Sequence, residues 1–137
     1  MKRVLFVCVE NSNRSQMAEA FARMLGEGRV EAYSAGSKPS GRVNPRAIAS
    51  MQELGYDLAS HDSKSLDDVP EGEFDAVLTM GCGDSCPWVP AKMREDWAIP
   101  DPRDMEPAAF AEVRDEIKGR VQGLLDRLLA EGSRSGS

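Results

Sequence analysis

Apolar residues recur along this chain in two rhythms. Short unbroken runs read as buried strands, and three-to-four-residue spacings read as helices turned toward a core. Val4-Leu5-Phe6-Val7 is such a run, so Lys2–Val7 is predicted as a buried strand. Ser15–Leu25 follows as a helix with Met17, Ala18, Phe21, Met24 and Leu25 on one face. Gly26 and Gly28 punctuate its end, and Val30–Ala35 forms a second strand closed by Gly36. After a Pro/Gly/Ser loop at Lys38–Arg42, Asn44-Pro45 has the form of an N-cap followed by proline at the first helical position. That helix runs to about Leu54, with Ala47, Ile48, Met51 and Leu54 inward, and Gly55 ends it. Ser63–Val69 is predicted as a short helix, Phe74–Met80 as a third strand, Gly81–Pro90 as a loop and Trp97–Ile99 as a short fourth strand. Pro107–Leu129 is a long amphipathic helix striped by Phe110, Val113, Ile117, Val121, Leu124, Leu125 and Leu128. The catalytic domain is expected over residues 1–131, with a disordered Ser/Gly-rich tail at 132–137.

Alternating strands and helices argue for an α/β sandwich around a parallel sheet. No repeat, linker or second domain interrupts the pattern. Sites in such sheets lie at the carboxyl ends of the strands. Cys8, the loop after Met80 and the loop after Ile99 all fall on that edge.

Composition narrows the picture. The 137 residues, 41% hydrophobic and 29% charged, suit one soluble domain. No apolar stretch approaches the ~20 residues of a membrane span. The start, Met1-Lys2-Arg3-Val4, lacks the form of a secretion signal, so a cytoplasmic protein is expected. A net charge of −6 argues against nucleic-acid and anionic-membrane partners. Three cysteines in a reducing compartment favour catalysis or redox exchange over a disulfide framework.

The first cysteine opens the loop Cys8-Val9-Glu10-Asn11-Ser12-Asn13-Arg14-Ser15, between the first strand and the first helix. Its backbone N–H groups and the helix N-terminus can converge on one oxyanion. The same positive field favours a thiolate. Arg14 adds a planar, bidentate grip. A bare Cys-x5-Arg is a weak signal; the strand before, the Ser-Asn-Arg-Ser within and the helix after set it above a buried structural cysteine. Ser15 can cap the helix and also donate to the Cys8 sulfur, and Asn11 tolerates positive φ.

Two further segments carry polar chemistry. In Pro100-Asp101-Pro102 both prolines stiffen the backbone; taken alone, such a segment is more often a turn than an acid catalyst. Cys82-Gly83-Asp84-Ser85-Cys86-Pro87 admits half a zinc site, two unrelated thiols or a redox pair. No second Cys/His pair exists and His61 is the only histidine, so a redox pair is preferred. His61 is read as structural or superficial, Trp88 and Trp97 as anchors or core, and Lys92–Asp96 as a solvated face.

The loop, Ser15-Gln16-Met17-Ala18-Glu19, Tyr33-Ser34-Ala35-Gly36, Val43-Asn44-Pro45-Arg46-Ala47-Ile48 and Val113-Arg114-Asp115-Glu116-Ile117-Lys118 together resemble a known group. They are similar to the arsenate reductases built on the low-molecular-weight protein tyrosine phosphatase fold, over nearly the whole chain to about Leu129. The resemblance implies a three-layer sandwich with a four-stranded parallel sheet. It implies arsenate as substrate, Cys8 as nucleophile, residues 9–15 as the oxyanion cradle, Ser15 as thiolate stabiliser, Asn11 as loop organiser and Asp101 as general acid. It also implies a thiol relay from Cys8 to Cys82 to Cys86, reduced by thioredoxin or a similar dithiol protein, with no bound cofactor. A monomer is expected.

The chain departs from that pattern in places. Thioredoxin-coupled members usually separate the relay pair by more residues, and some members with closer pairs use glutaredoxin. Glu10 stands where glycine is common and is expected to point to solvent. Several members hold a potassium ion through residues matching Asn11, Glu19, Ser34 and an aspartate; here Lys64 takes the aspartate position, so no metal is expected. The rival enzyme reading is a phosphotyrosine phosphatase. Ser15-Gln16 in place of Ser-Pro, and Arg103-Asp104 in place of tyrosines after the Asp-Pro, stand against it. The sequence also admits a reductase coupled to mycothiol or glutathione, and a non-catalytic oxyanion-binding protein.

Overall fold

The computed structural model describes residues 2–80 and 89–135, with side chains to residue 129. Four parallel strands, β1 (Lys2–Cys8), β2 (Val30–Gly36), β3 (Phe74–Thr79) and β4 (Ala91–Asp96), lie in the order β2-β1-β3-β4. Helices α1 (Arg14–Leu25), α2 (Pro45–Gln52) and α3 (Pro107–Ser135) accompany them. The predicted loop at residues 81–90, with Cys82, Cys86 and Trp88, falls largely outside the described residues.

β1 is central, paired with β2 from Lys2↔Val30 to Cys8↔Gly36 and with β3 from Val4↔Ala76 to Val7↔Thr79. A strand covered on both faces must be apolar on both, which is why its sequence shows no alternation. Val4, Phe6 and Cys8 face the larger core, with Met17 and Phe21 of α1, Met51 of α2, and Phe110, Ile117 and Leu124 of α3. Leu5 and Val7 face a smaller cluster with Ala35, Phe74 and Val77. Among the described residues, Leu66, Val69 and Val89 pack against that second cluster. Helices, sheet and this covering segment make three layers.

The fourth strand differs from expectation. It is Ala91–Asp96, the run read as a solvated face, and not Trp97–Ile99. As an edge strand with one neighbour it needs no apolar run, and its residues alternate between half-buried and exposed. Trp97 N–H still donates to Thr79 O at 2.8 Å, after which the chain leaves the sheet. Trp97 and Ile99 are instead core anchors, 4% and 3% exposed, with the Trp97 ring centroid 6.1 Å from that of Phe6.

Smaller differences have local causes. Met24, expected inward, is exposed near the end of α1. Within Ser63–Val69 only a 3-10 turn, Leu66–Asp68, forms, held by reciprocal capping between Ser65 and Asp68. An unpredicted second turn, Leu58–Ser60, starts at an Asp57 cap and buries Leu58. α3 reaches Ser135, past the expected end at Leu129 and into the segment read as a tail.

Candidate active site

The loop after β1 is shaped by what its carbonyls do. Cys8 O, Val9 O, Glu10 O and Ser12 O accept from Ser37, Lys38, Ser40 and Asn44 N–H at 2.8–3.2 Å. Asn11 O accepts from Gln16 Nε2 at 3.1 Å. Asn11 itself sits at φ 51, a left-handed conformation that asparagine tolerates. With the carbonyls engaged by surrounding segments, the N–H groups of Glu10–Arg14 have no protein acceptor among the described residues. Donors left this way form an anion nest at the start of α1.

Gly36 makes the close packing possible. A Cβ there would lie 2.6 Å from Val9 O and 3.0 Å from both Asn11 N and Asn11 Cβ. The last pair of the β1–β2 ladder, Cys8↔Gly36, thus sets the loop against a residue with no side chain.

Beneath the nest runs a polarised hydrogen-bond chain. Gln16 Nε2 donates to Asn11 Oδ1 and to Asp62 O, both at 2.8 Å. Its Oε1 therefore faces His61 Nδ1, at 2.9 Å, and that nitrogen carries the proton. His61 Nε2 is then the acceptor for Tyr56 O–H at 2.6 Å. Asn11 Oδ1 also accepts from Lys64 N–H at 2.7 Å, so Asn11 Nδ2 donates to Ser15 Oγ at 2.7 Å. The Ser15 hydroxyl proton is left for Cys8 Sγ, 2.9 Å away. An O–H aimed at sulfur is complementary to a thiolate.

Cys8 is buried at the floor of a cavity of about 270 Å³ lined also by Val9, Glu10, Ser12, Asn13, Arg14, Asp101 and Arg103. Arg14 is fixed by its Nη1 donating to Ile99 O at 3.0 Å, and its Nη2 lies 3.8 Å from Asp101 Oδ2. The structure thus brings together Cys8, Arg14, Ser15, Asp101 and the cradle residues named from the sequence. Cys82 and Cys86 lie outside the described residues.

Other residues take places the sequence does not announce. Glu10 does not simply face solvent: it lines the cavity and is paired with Arg103, whose Nη1 lies 3.3 and 3.1 Å from its two carboxylate oxygens. The contact spans the chain, so no local pattern foretells it. Gln16 is the hub of the hydrogen-bond chain, a role that sequence reasoning misses; an amide on the buried face of a helix is the available signal. His61 is structural, with a side chain 5% exposed. Glu19, 2% exposed, is met by Arg23 at 2.8 Å, Lys64 at 3.6 Å and the Ser34 hydroxyl at 2.5 Å.

Burial holds His61 below the ordinary histidine value, while the Glu19 carboxylate pulls the other way. The unfolded chain therefore takes up a proton near pH ~6.5 before the native state does, and stability falls as pH drops through that range. His61→Asn is expected to flatten this dependence by up to ~1.4 kcal/mol per pH unit, whatever its effect at neutral pH. Denaturant unfolding of both proteins between about pH 5 and 8 reads the difference. Parallel pH profiles would refute the assignment.

A buried cysteine beneath an anion nest, with an arginine and an aspartate at the cavity wall, is the apparatus of enzymes that attack tetrahedral oxyanions through sulfur. Residues 3–134 match the low molecular weight phosphotyrosine protein phosphatase family, and the chain belongs to it. Within that family it is 40% identical over 131 residues to the glutaredoxin arsenate reductase of Synechocystis, covering 93% of this chain and 99% of the relative. A solved arsenate reductase in the phosphate binding state superposes with a TM-score of 0.85 at 40% identity, covering 93% and 98% of the two chains. The Corynebacterium glutamicum thioredoxin-dependent arsenate reductase superposes with a TM-score of 0.78 at 32% identity, over 96% of this chain and 63% of that one.

Proposed function

We propose that this chain reduces arsenate to arsenite and serves arsenic detoxification in the cytoplasm. The observation that carries the reading is the nest over Cys8: free N–H donors, Arg14 and a serine-supported sulfur, in a chain similar to arsenate reductases over nearly all its length. Among the described residues, no helix is long and apolar enough to cross a membrane.

Arsenate binds in the nest, and Cys8 thiolate attacks arsenic as Asp101 protonates the departing oxygen, which leaves as water. Cys82 thiolate then attacks the Cys8 sulfur. The electron pair of the sulfur–arsenic bond goes to arsenic, arsenite departs and a Cys8–Cys82 disulfide remains. Cys86 attacks Cys82, expels Cys8 thiolate and forms Cys82–Cys86. An external dithiol reduces that bond and restores the enzyme. The scheme needs no bound cofactor. Glu19 is already neutralised by Arg23 and Lys64, so the surroundings that match a potassium site elsewhere in the family do not fit a resident cation here.

Thioredoxin is the proposed reductant. A second reading, glutaredoxin, is favoured by the three-residue spacer between Cys82 and Cys86 and by the similarity to the glutaredoxin arsenate reductase. Arsenite production with thioredoxin, its reductase and NADPH, set beside glutaredoxin with glutathione, decides between them. In the productive system Cys86→Ser is expected to release about one arsenite per enzyme and stall, because Cys8–Cys82 then has no internal thiol to open it. Sustained turnover by that variant would sink the relay.

A further inference from the structure

We propose that the Glu10–Arg103 ion pair is a specificity gate at the cavity mouth, admitting a free tetrahedral oxyanion and rejecting its bulky esters. The inference rests on the reading of the Cys8 loop as an oxyanion cradle. In-line attack by Cys8 Sγ places the departing oxygen opposite the sulfur, on the outward side where Asp101 stands. On arsenate that oxygen carries at most a proton. On a phosphomonoester it carries the organic group, which has to pass between Asp101, Glu10 and Arg103.

Arg103 ties those groups together. Its guanidinium engages both Glu10 oxygens, at 3.3 and 3.1 Å. Its backbone N–H donates to Asp101 Oδ1 at 3.1 Å. One residue thus spans from the acid-bearing segment to the cradle and narrows the exit for any substituent. Charge points the same way. A carboxylate lining an anion site repels an incoming dianion, and Arg103 cancels it. The Arg103 and Glu10 side chains are 54% and 37% exposed, where an ion pair contributes little to folding. Its placement at the mouth of the cavity is what gives it consequence.

The test uses Glu10→Ala, Arg103→Ala and the double variant, with inorganic phosphate as the binding probe and p-nitrophenyl phosphate as the ester. Arg103→Ala, which exposes Glu10, is expected to weaken phosphate binding by calorimetry about fivefold or more at low salt, an effect that fades at high salt. The double variant is expected to recover most of that loss. It is also expected to hydrolyse p-nitrophenyl phosphate with kcat/KM at least about tenfold above the wild type, since the mouth is then open. A contact that merely braces the loop would lower both readouts and show no salt dependence. Ester hydrolysis by the double variant within about twofold of wild type overturns the gate, as does phosphate binding indifferent to Arg103→Ala. Failure of the arsenate reductase reading would show separately, as wild-type protein that binds phosphate and makes no arsenite with either reductant system.

Discussion

Asp101→Asn is expected to lower kcat/KM for arsenate reduction by about 10²–10⁴-fold, the range over which a positioned general acid acts. Asparagine keeps the shape of the side chain and the acceptor that Arg103 N–H engages at 3.1 Å. What it loses is the carboxyl proton that the proposed acid step uses. Asp101 is 3.8 Å from Arg14 and lines the same cavity as Cys8, the placement that the proposed acid role requires. Removing a negative charge from an anion site does not weaken phosphate binding, so calorimetry is expected to show an unchanged or lower Kd. Slowed turnover with retained binding separates acid catalysis from a role in shaping the loop. A variant that turns over within about threefold of wild type would move the acid elsewhere, and Glu10, a second carboxylate that lines the cavity, would be the next to replace.

What could be read from the sequence follows the distance over which each feature is determined. The Cys8–Ser15 loop is local: strand, loop and helix adjoin in the chain, so cysteine, arginine and loop were legible as one unit. The buried stripe of α3 was legible for the same reason, since every residue assigned to it is buried. The fourth strand was misplaced because an edge strand tolerates charge, whereas Trp97 and Ile99 imitate a strand while anchoring the core. The support beneath the loop was invisible. Gln16 meets Asp62 and His61 across 46 and 45 residues, and a sequence pattern does not specify such contacts. The Glu10–Arg103 pairing was illegible for the same reason: it joins residues 93 apart in the chain. Even Asp101, ambiguous as a turn, gains its meaning from Ile99 O, which holds Arg14 beside it.

That Arg14 anchorage carries the second large effect. Arg14→Lys keeps the positive charge, yet is expected to lower kcat/KM for arsenate by about 10²–10³-fold. The guanidinium does two things at once in this site. One nitrogen is committed to Ile99 O at 3.0 Å, and the other stands toward Asp101 Oδ2 at 3.8 Å, so the planar group is held at the cavity wall with N–H donors to spare. Its side chain is only 11% exposed, so little water competes for those donors. A lysine ammonium is a point charge on a flexible stem. It can reach either the carbonyl or the oxyanion, and it cannot present two parallel donors to the oxygens that gain charge during attack. Phosphate Kd is expected to rise less than kcat/KM falls, because the lost fork matters most where the charge develops. If charge alone were required, Arg14→Lys would stay within about threefold of wild type in both measurements, and the cradle's N–H groups would have to stabilise the oxyanion without the guanidinium fork.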